Sequence, residues 1–558
     1  MKRIIVIFTA IGLLAGCSDF LKPDDKGGIT NDDLYSTKVG YETIITSAYQ
    51  YLRIIYGDNP PFLLMAGTDI YEGPVPNLGN DASVYLYSIF PNNNRVTDFY
   101  TNVYQGIQRC NMALYYNSFP KDIDENLRAQ YKSEMRFLRA FFHFLLVEQF
   151  GGVCINNEAT LSPRTSMPRN TLAESYEFII NEIEDCIGTL GKSTVGRVNQ
   201  DVANHYLAKI YLTRGWDLNN QDDFTKAKQY AQKVFDSRGG IVLTYEDLWS
   251  WKNENNSEIL FAVQYDQKSI PNITGGNCQQ QCFAPYLGGS ESFAKSTNSQ
   301  FIPTWGARKW YSENDSRYET SFMSIIYEFY FDYYTVADKS ALKVRAYFPR
   351  VWRTITQDDL NAWATKFPTT TEFYLRPFYE NDVVLYRSYP YAGMPNRWTA
   401  PLRKFDDVTT AAVTTQGRVS VRDIVLARLA ETYYLYAEAC IGLNDFTTAA
   451  AYVRKVINRP GNAKFGVLPN AIEGAANREE ALHGYLIESG KEFMGEYNGR
   501  WPELRRTGML KFMTERYNYQ MQTEAGNIDF NKFKLRPIPE SAILLNDALT
   551  AKDQNPGY

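Results

Sequence analysis

Histidine is almost missing from this chain. There are three in 558 residues, His143, His205 and His483. Each sits in a helical run beside apolar or aromatic residues, the ordinary setting of a core or helix-surface histidine. The zinc-protease pattern His-Glu-x-x-His is absent, as is the Gly-x-Ser-x-Gly nucleophile elbow. Gly191-Lys192-Ser193 looks like the end of a phosphate-binding loop, but position 186 is Cys where that loop needs its first glycine. An excess of one charge is also lacking. Lys and Arg total 58 against 63 Asp and Glu, with the signs interspersed and a net charge of -5. A nucleic-acid binder needs a basic stripe to neutralise phosphates, so that class is excluded. Cysteine is sparse, at seven. Cys110, Cys186 and Cys440 fall in helical patterns and read as small buried hydrophobes. Cys278-Gln-Gln-Gln-Cys282 lies in a Gly-rich loop, where an exported protein has room for a local disulfide. With no histidine nearby the pair lacks the ligands zinc takes. No metal or cofactor is implied. Among 63 acidic residues no acid pair stands out as a glycosidase would require, so the chain reads as a non-enzyme.

Long hydrophobic runs are lacking after the first few residues. The chain begins MKRIIVIFTAIGLLAGCSDFLKP: two basic residues, an apolar run from Ile4 to Leu14, then Leu14-Ala15-Gly16-Cys17. A spanning helix needs roughly 18 or more apolar residues, so this run reads as a signal peptide over residues 1–16. Leu-Ala-Gly-Cys resembles a bacterial lipobox, in which Cys17 receives lipid and becomes the first residue of the mature protein. Residues 17–30 are polar and Gly-containing, and read as a flexible tether.

Aromatics are abundant instead: 41 Tyr, 32 Phe and 9 Trp, 15% of the chain. Most must be core. Any surplus at loop tips suits a ligand with flat apolar faces. Asn31-Asp32-Asp33 reads as the cap of a first helix. Helical periodicity runs over Val39–Ile55, Asp98–Tyr116, Asn126–Phe150, Leu172–Leu190 and Asp201–Arg214. Asp223-Phe-Thr-Lys-Ala-Lys-Gln-Tyr-Ala-Gln-Lys-Val234 is echoed by Asp445-Phe-Thr-Thr-Ala-Ala-Ala-Tyr-Val-Arg-Lys-Val456, with seven of twelve positions identical. Each copy follows a helix rich in Tyr, Leu and Ala, which is similar to a tetratricopeptide hairpin. Between the copies, about residues 240–420 are rich in Gly, Pro, Thr and aromatics, with β-like runs at Ile259–Gln264 and Val383–Tyr386. This reads as a loop-rich insert in a helical scaffold of about 31–240 and 420–558. Glu488, Glu492 and Glu496 recur every four residues, as a salt-bridged seam against neighbouring helices would require.

Six segments in order resemble the SusD-like (RagB/SusD) family across nearly the whole mature chain. CSDFL opens it. NVYQGIQRCN and SEMRFLRAFFHFLLVEQFGGV match early helices. GRVNQDVANHYLAKIYL and NENNSEILFAVQY follow. EFMGEYNGRWPELRRTG matches a late signature, and KLRPIPESAI with QNPGY the closing segment. Two departures concern the late signature: one extra residue separates Glu496 from Arg500, and Pro502 replaces the usual aromatic, so the local helix geometry is expected to differ. The resemblance implies a mostly α fold with tetratricopeptide-like hairpins and an irregular ligand-binding region, residues 31–558 forming one body. It implies a lipoprotein on the outer face of the outer membrane. Such a protein binds a polysaccharide or oligosaccharide and passes it to a SusC-like TonB-dependent transporter, a peptide being the alternative ligand.

A sugar offers C–H faces for stacking and hydroxyls for hydrogen bonds, so its site needs exposed rings beside Asn, Asp, Gln or Arg. Two loop regions carry such sets: Tyr71, Asn77, Asn80, Asp81 and Tyr85 in the first, and Phe283, Tyr286, Phe293, Asn298 and Trp305 in the second. Trp310 and Tyr311 are expected to face the core. A third cluster, Tyr389, Tyr391 and Trp398, suits either the ligand or the transporter.

Overall fold

A computed structural model describes residues 30–58, 60–73, 81–192, 196–266, 276–284, 287, 294–348, 350, 356–368, 372–373, 400–462, 469–523, 528–530 and 532–558. The leader, Cys17, the tether, the Val383–Tyr386 run and the third aromatic cluster lie outside these residues.

Helices dominate, and the periodicity places them well. The main ones are α1 (Lys38–Arg53), α2 (Asn94–Tyr115), α3 (Glu125–Phe150), α4 (Leu172–Glu184), α5 (Gln200–Asp217), α6 (Gln221–Arg238), α7 (Leu429–Gly442), α8 (Phe446–Ile457), α9 (Arg478–Glu492), α10 (Arg500–Arg506) and α11 (Leu510–Tyr517). The first short helix, Asn31–Tyr35, is capped one residue earlier than its sequence suggests: Thr30 is the N-cap and Asp33 closes the capping box. In α3, Asp124 accepts from the amides of Asn126 and Leu127, and Gly151 ends the helix at φ 76°. From Ser133 to Phe150 nearly every residue of α3 is buried, because α2, α4 and α5 pack around it.

The two echoed hairpins, α5–α6 and α7–α8, come together in space. Phe224 on α6 is the reason they fit. A Cβ on Gly215 would sit 2.9 Å from its ring, and one on Gly442 would sit 2.8 Å from it, so the ring occupies a slot that two glycines open. Beside it, Phe235 stacks on Tyr433 with centroids 4.2 Å apart, and Tyr436 stacks on Tyr452 at 3.9 Å. The hairpin turns are made by Asn219 and Asn444, both left-handed, which Asn tolerates better than most residues.

The strands are short: β1 (Tyr71–Glu72), β2 (Ile259–Val263), β3 (Ile302–Pro303), β4 (Ile325–Tyr327), β5 (Val344–Tyr347), β6 (Glu372–Phe373) and β7 (Ile424–Arg428). β2 and β7 pair antiparallel, Val263 opposite Ile424. β7 leads directly into α7, so this ribbon ties the insert to the second hairpin. β4 and β5 are antiparallel and β5 and β6 parallel, matching an insert of loops, short helices and small sheets.

Many of the tyrosines fit the interior because their hydroxyls find partners. Tyr49 donates to Glu134 at 2.7 Å, Tyr104 to the Cys154 carbonyl at 2.9 Å, and Tyr176 to Asp217 at 2.6 Å. Tyr211 and Tyr230 share Glu184 at 2.7 and 2.6 Å. Trp310 and Tyr311 are buried, as expected. Cys110, Cys186 and Cys440 are buried too.

The acidic seam is present and fully enclosed. Glu488 and Glu492 lie on α9, while Glu496 falls just past its end. Arg317, Arg428 and Arg459 converge on them from three other segments, joined by Glu258 and Asp315. The departures in the late signature have a local solution. Gly499, at φ 91°, makes the turn before α10. Pro502 then falls in the first turn, where its missing N–H costs nothing.

Candidate functional site

The two loop regions singled out by composition are joined by strand pairing. β1 pairs with β3, Tyr71 opposite Pro303 and Glu72 opposite Ile302. Thr304 reinforces the joint: its amide donates to the Ile70 carbonyl at 3.0 Å and its hydroxyl to the Asp69 carbonyl at 2.7 Å. The same hydroxyl accepts from Ala307, capping a one-turn helix, Trp305–Arg308. Asp69 is in turn fixed by Arg500 of α10, whose Nε lies 2.9 Å from Oδ1. Asn518 donates to the carbonyls of Thr68 and Tyr71 at 2.6 and 3.0 Å. The late signature thus holds the joint from behind.

Beneath it lies an aromatic floor. Tyr71, Phe283 and Phe301 form a triangle with centroids 5.3–5.8 Å apart, and Phe62 packs on Phe301 at 5.2 Å. Tyr71 and Tyr85, expected to face a ligand, are 0% and 1% exposed. The Tyr71 hydroxyl accepts from the Gly495 amide, and the Tyr85 hydroxyl donates to the Gln300 carbonyl. Their rings are consumed by packing, so neither presents the exposed face expected of it. Phe283 is buried with them. Asp81 is engaged with Arg95, its Oδ1 2.7 Å from Nε.

Trp305 and Asn298 are placed differently. Asn298 is exposed, with its amide N–H donated to the Gln281 carbonyl at 2.9 Å. Trp305 is half-buried, with the Arg308 guanidinium and the Lys309 ammonium each 5.4 Å from its ring centroid. Trp305 Nε1 and Gln300 Oε1 are buried atoms with no hydrogen-bond partner among the described residues. Asn77, Asn80, Tyr286 and Phe293 lie outside the described residues. Thr304 carries no signal in the sequence: it is an ordinary polar side chain that acquires its place at the joint only through the pairing of β1 with β3.

Cys278 and Cys282 flank this region as free thiols, with sulfurs 3.6 Å apart against about 2.05 Å for a disulfide. The histidines serve the scaffold. His143 donates through Nδ1 to the Arg139 carbonyl at 2.8 Å and accepts from Asn156 at Nε2, and burial pushes it down to about 4. His205 bonds Thr432, and His483 bonds Tyr517.

Comparison with known proteins fits this architecture. Residues 257–558 match the SusD family, and residues 29–212 match a family described as starch-binding associating with outer membrane. A SusD-like protein of Bacteroides ovatus is 26% identical over 276 residues, 47% of this chain and 50% of that protein. The chain thus spans about half the length of this curated relative. A SusD homolog from Bacteroides thetaiotaomicron superposes with a TM-score of 0.70 at 18% identity, covering 95% of this chain and 98% of that one. Surface glycan-binding protein A of the same organism, solved with laminarihexaose, superposes at 0.62 and 18% identity, over 93% and 99% of the two chains. At these identities the superpositions carry the fold, mostly helical as in the present chain. With the SusD family's pattern over the later half and a related one over the early helices, the chain belongs to the SusD family.

Proposed function

We propose that this protein is a cell-surface lipoprotein that captures a glycan and delivers it to a SusC-like TonB-dependent transporter. In this reading Cys17 carries the lipid, residues 17–30 are the tether, and residues 31–558 act as one non-catalytic capture body. The observation that carries it is the joint of β1 and β3. It brings two distant loop segments together, with Trp305 partly open and Asn298 exposed on the later one. A half-buried indole suits a sugar ring, which stacks on its open face. Asn77, Asn80, Tyr286 and Phe293, on the same two segments, are proposed further contacts on sequence grounds. The laminarihexaose complex of a protein sharing this fold makes β-glucans the first ligands to try.

The test is affinity electrophoresis and calorimetry of the purified protein against a glycan panel that includes laminarin, with oligopeptides as the contrasting arm. Retention by at least one glycan, weakened in Trp305→Ala, is the expected result. Retention of peptides alone moves the ligand to the other class, and retention unaffected by Trp305→Ala removes the proposed site.

A further inference from the structure

A second cleft lies on the outer side of α1, built from residues that the β1–β3 joint does not use. It encloses about 370 Å³, within the range of small-molecule sites. Its walls are Thr46, Tyr49, Gln50 and Arg53 from α1, Arg197 from the loop before α5, and Gln264 just past β2. Gly196 makes this closure possible. It sits at φ 70°, and a Cβ there would lie 2.4 Å from Gln264 Cγ, so only glycine lets the loop reach the end of the strand.

The charge of the cleft is one-sided. Two guanidiniums and no carboxylate are among its described lining residues. Arg197 is pinned behind: its Nε donates to Glu134 at 2.8 Å, and its guanidinium lies 5.0 Å from both the Tyr49 and Tyr131 rings. Arg53 is not neutralised in that way. One Nη donates to the Gln264 carbonyl and its plane lies over Tyr265 at 4.6 Å. No carboxylate among the described residues forms an ion pair with it, leaving donors to spend. Asp58, on which Arg53 acts, follows α1 and does not line the cleft, and Asp423, which accepts from the Gln264 side chain, stands behind that wall residue. Beside Arg53 stand exposed Thr46 and Gln50, a half-buried Gln264 and the Tyr49 ring. A planar fork of donors matches a carboxylate, while neutral amides and a hydroxyl match sugar hydroxyls.

We propose that this cleft is a second ligand site that takes a carboxylate-bearing saccharide, a uronic-acid residue of a glycan, with its carboxylate on Arg53. The site is independent of the Trp305 region and stands or falls apart from it. The amides and hydroxyl favour an acidic sugar over an acidic peptide.

The test is calorimetry of the purified protein with digalacturonate, neutral galactobiose, an acidic tetrapeptide and inorganic sulfate. Digalacturonate should bind at least about tenfold more tightly than galactobiose, the difference expected of one charge-assisted contact. Arg53→Gln should remove that preference and Arg53→Lys should keep part of it, while Trp305→Ala leaves it unchanged. Should Arg53→Gln fail to fold, Gln50→Trp, placed at an exposed position, fills the cleft and should abolish binding. Equal binding of the acidic and neutral disaccharides, no binding of digalacturonate at about 10 mM, or an unaltered preference in a folded Arg53→Gln or Gln50→Trp protein overturns the proposal. So does a tetrapeptide or sulfate that binds as tightly as digalacturonate.

Discussion

Arg428, the last residue of β7, donates through Nη1 to Glu492 of α9 at 2.9 Å, with both side chains essentially without solvent. Arg459 reaches the same carboxylate oxygen at 2.8 Å, and Arg317 reaches the other at 3.3 Å. Glu492 therefore serves three guanidiniums from three segments. A buried ion pair gains little over an apolar substitute, but removing one partner strands the other charge. Glu492→Gln should cost about 3–5 kcal/mol, read as a fall in the urea midpoint. An effect below about 1 kcal/mol would mean that the three arginines find other partners.

The same cluster sets the response to acid. Burial alone would raise the Glu492 carboxyl, but Arg459, Arg428 and Arg317 outweigh it and hold it at about 2, below its ordinary 4.5. A depressed folded value contributes stability that is present above pH 4.5 and lost as pH falls toward 2. Asp423 runs the other way. Burial pushes it up to about 7 from 3.8, against the Tyr265 amide donated to it at 2.7 Å. Its contribution is fullest below pH 3.8 and is lost as pH rises through 7. Asp423→Asn should therefore exceed the wild type in stability at pH 8, by on the order of 1 kcal/mol, with the gain shrinking toward pH 4. Urea titrations at pH 4, 6 and 8 check the sign, and a mutant less stable at pH 8 than at pH 4 relative to wild type refutes it.

How much of this was legible follows from the range of the interactions. The 3.6-residue periodicity of Phe137, Phe141, Phe144 and Leu145 is local, and it located α3 to within a residue. The echo of residues 223–234 in 445–456 announced two hairpins, but not that Phe224 would lie between Gly215 and Gly442. The seam showed its acidic half because three glutamates share one spacing. Its basic half is scattered over Arg317, Arg428 and Arg459, and nothing in one sequence marks arginines so far apart as neighbours. In the loops, composition singled out two segments but not that β1 and β3 would pair them. Whether a ring is buried is decided by strand pairing, so Tyr71 and Trp305 look alike in the sequence and differ in burial.

Phe224 is the link between the hairpins, and it should behave as such. Phe224→Ala empties a slot shared by α5, α6 and α7 and should cost about 3–5 kcal/mol. Gly442→Ala puts a methyl where the ring lies and should cost about 1–3 kcal/mol. Combined, the small side chain and the added methyl relieve each other, so the double mutant should be more stable than the sum of the two losses predicts. Strict additivity in thermal melts would show that the ring does not couple the two hairpins.

The proposed anchor separates from the body. Cys17→Ala should shift the protein from the membrane fraction to the supernatant, since lipidation needs the thiol. Affinity of the purified protein for its glycan should stay unchanged. A mutant that still sediments with membranes denies the lipobox, and one that loses affinity denies that residues 17–30 are only a tether.

Floor and face can be told apart by two substitutions that should fail in opposite ways. Tyr71→Phe removes the hydroxyl that accepts the Gly495 amide and leaves a buried N–H unpaired. That should cost about 1–3 kcal/mol of stability. The ring stays, so the floor keeps its shape and glycan affinity should hold. Trp305→Ala removes a half-buried ring that has two cations 5.4 Å from its centroid. It should cost little stability and weaken binding by about tenfold or more, the loss of one stacked aromatic contact. Calorimetry and urea unfolding on both mutants give a two-by-two result. If Tyr71→Phe weakens binding as much as Trp305→Ala does, the floor moves with the ligand. If Trp305→Ala unfolds the joint instead, the indole is a packing residue and the ligand-facing ring must be sought elsewhere on the two loops.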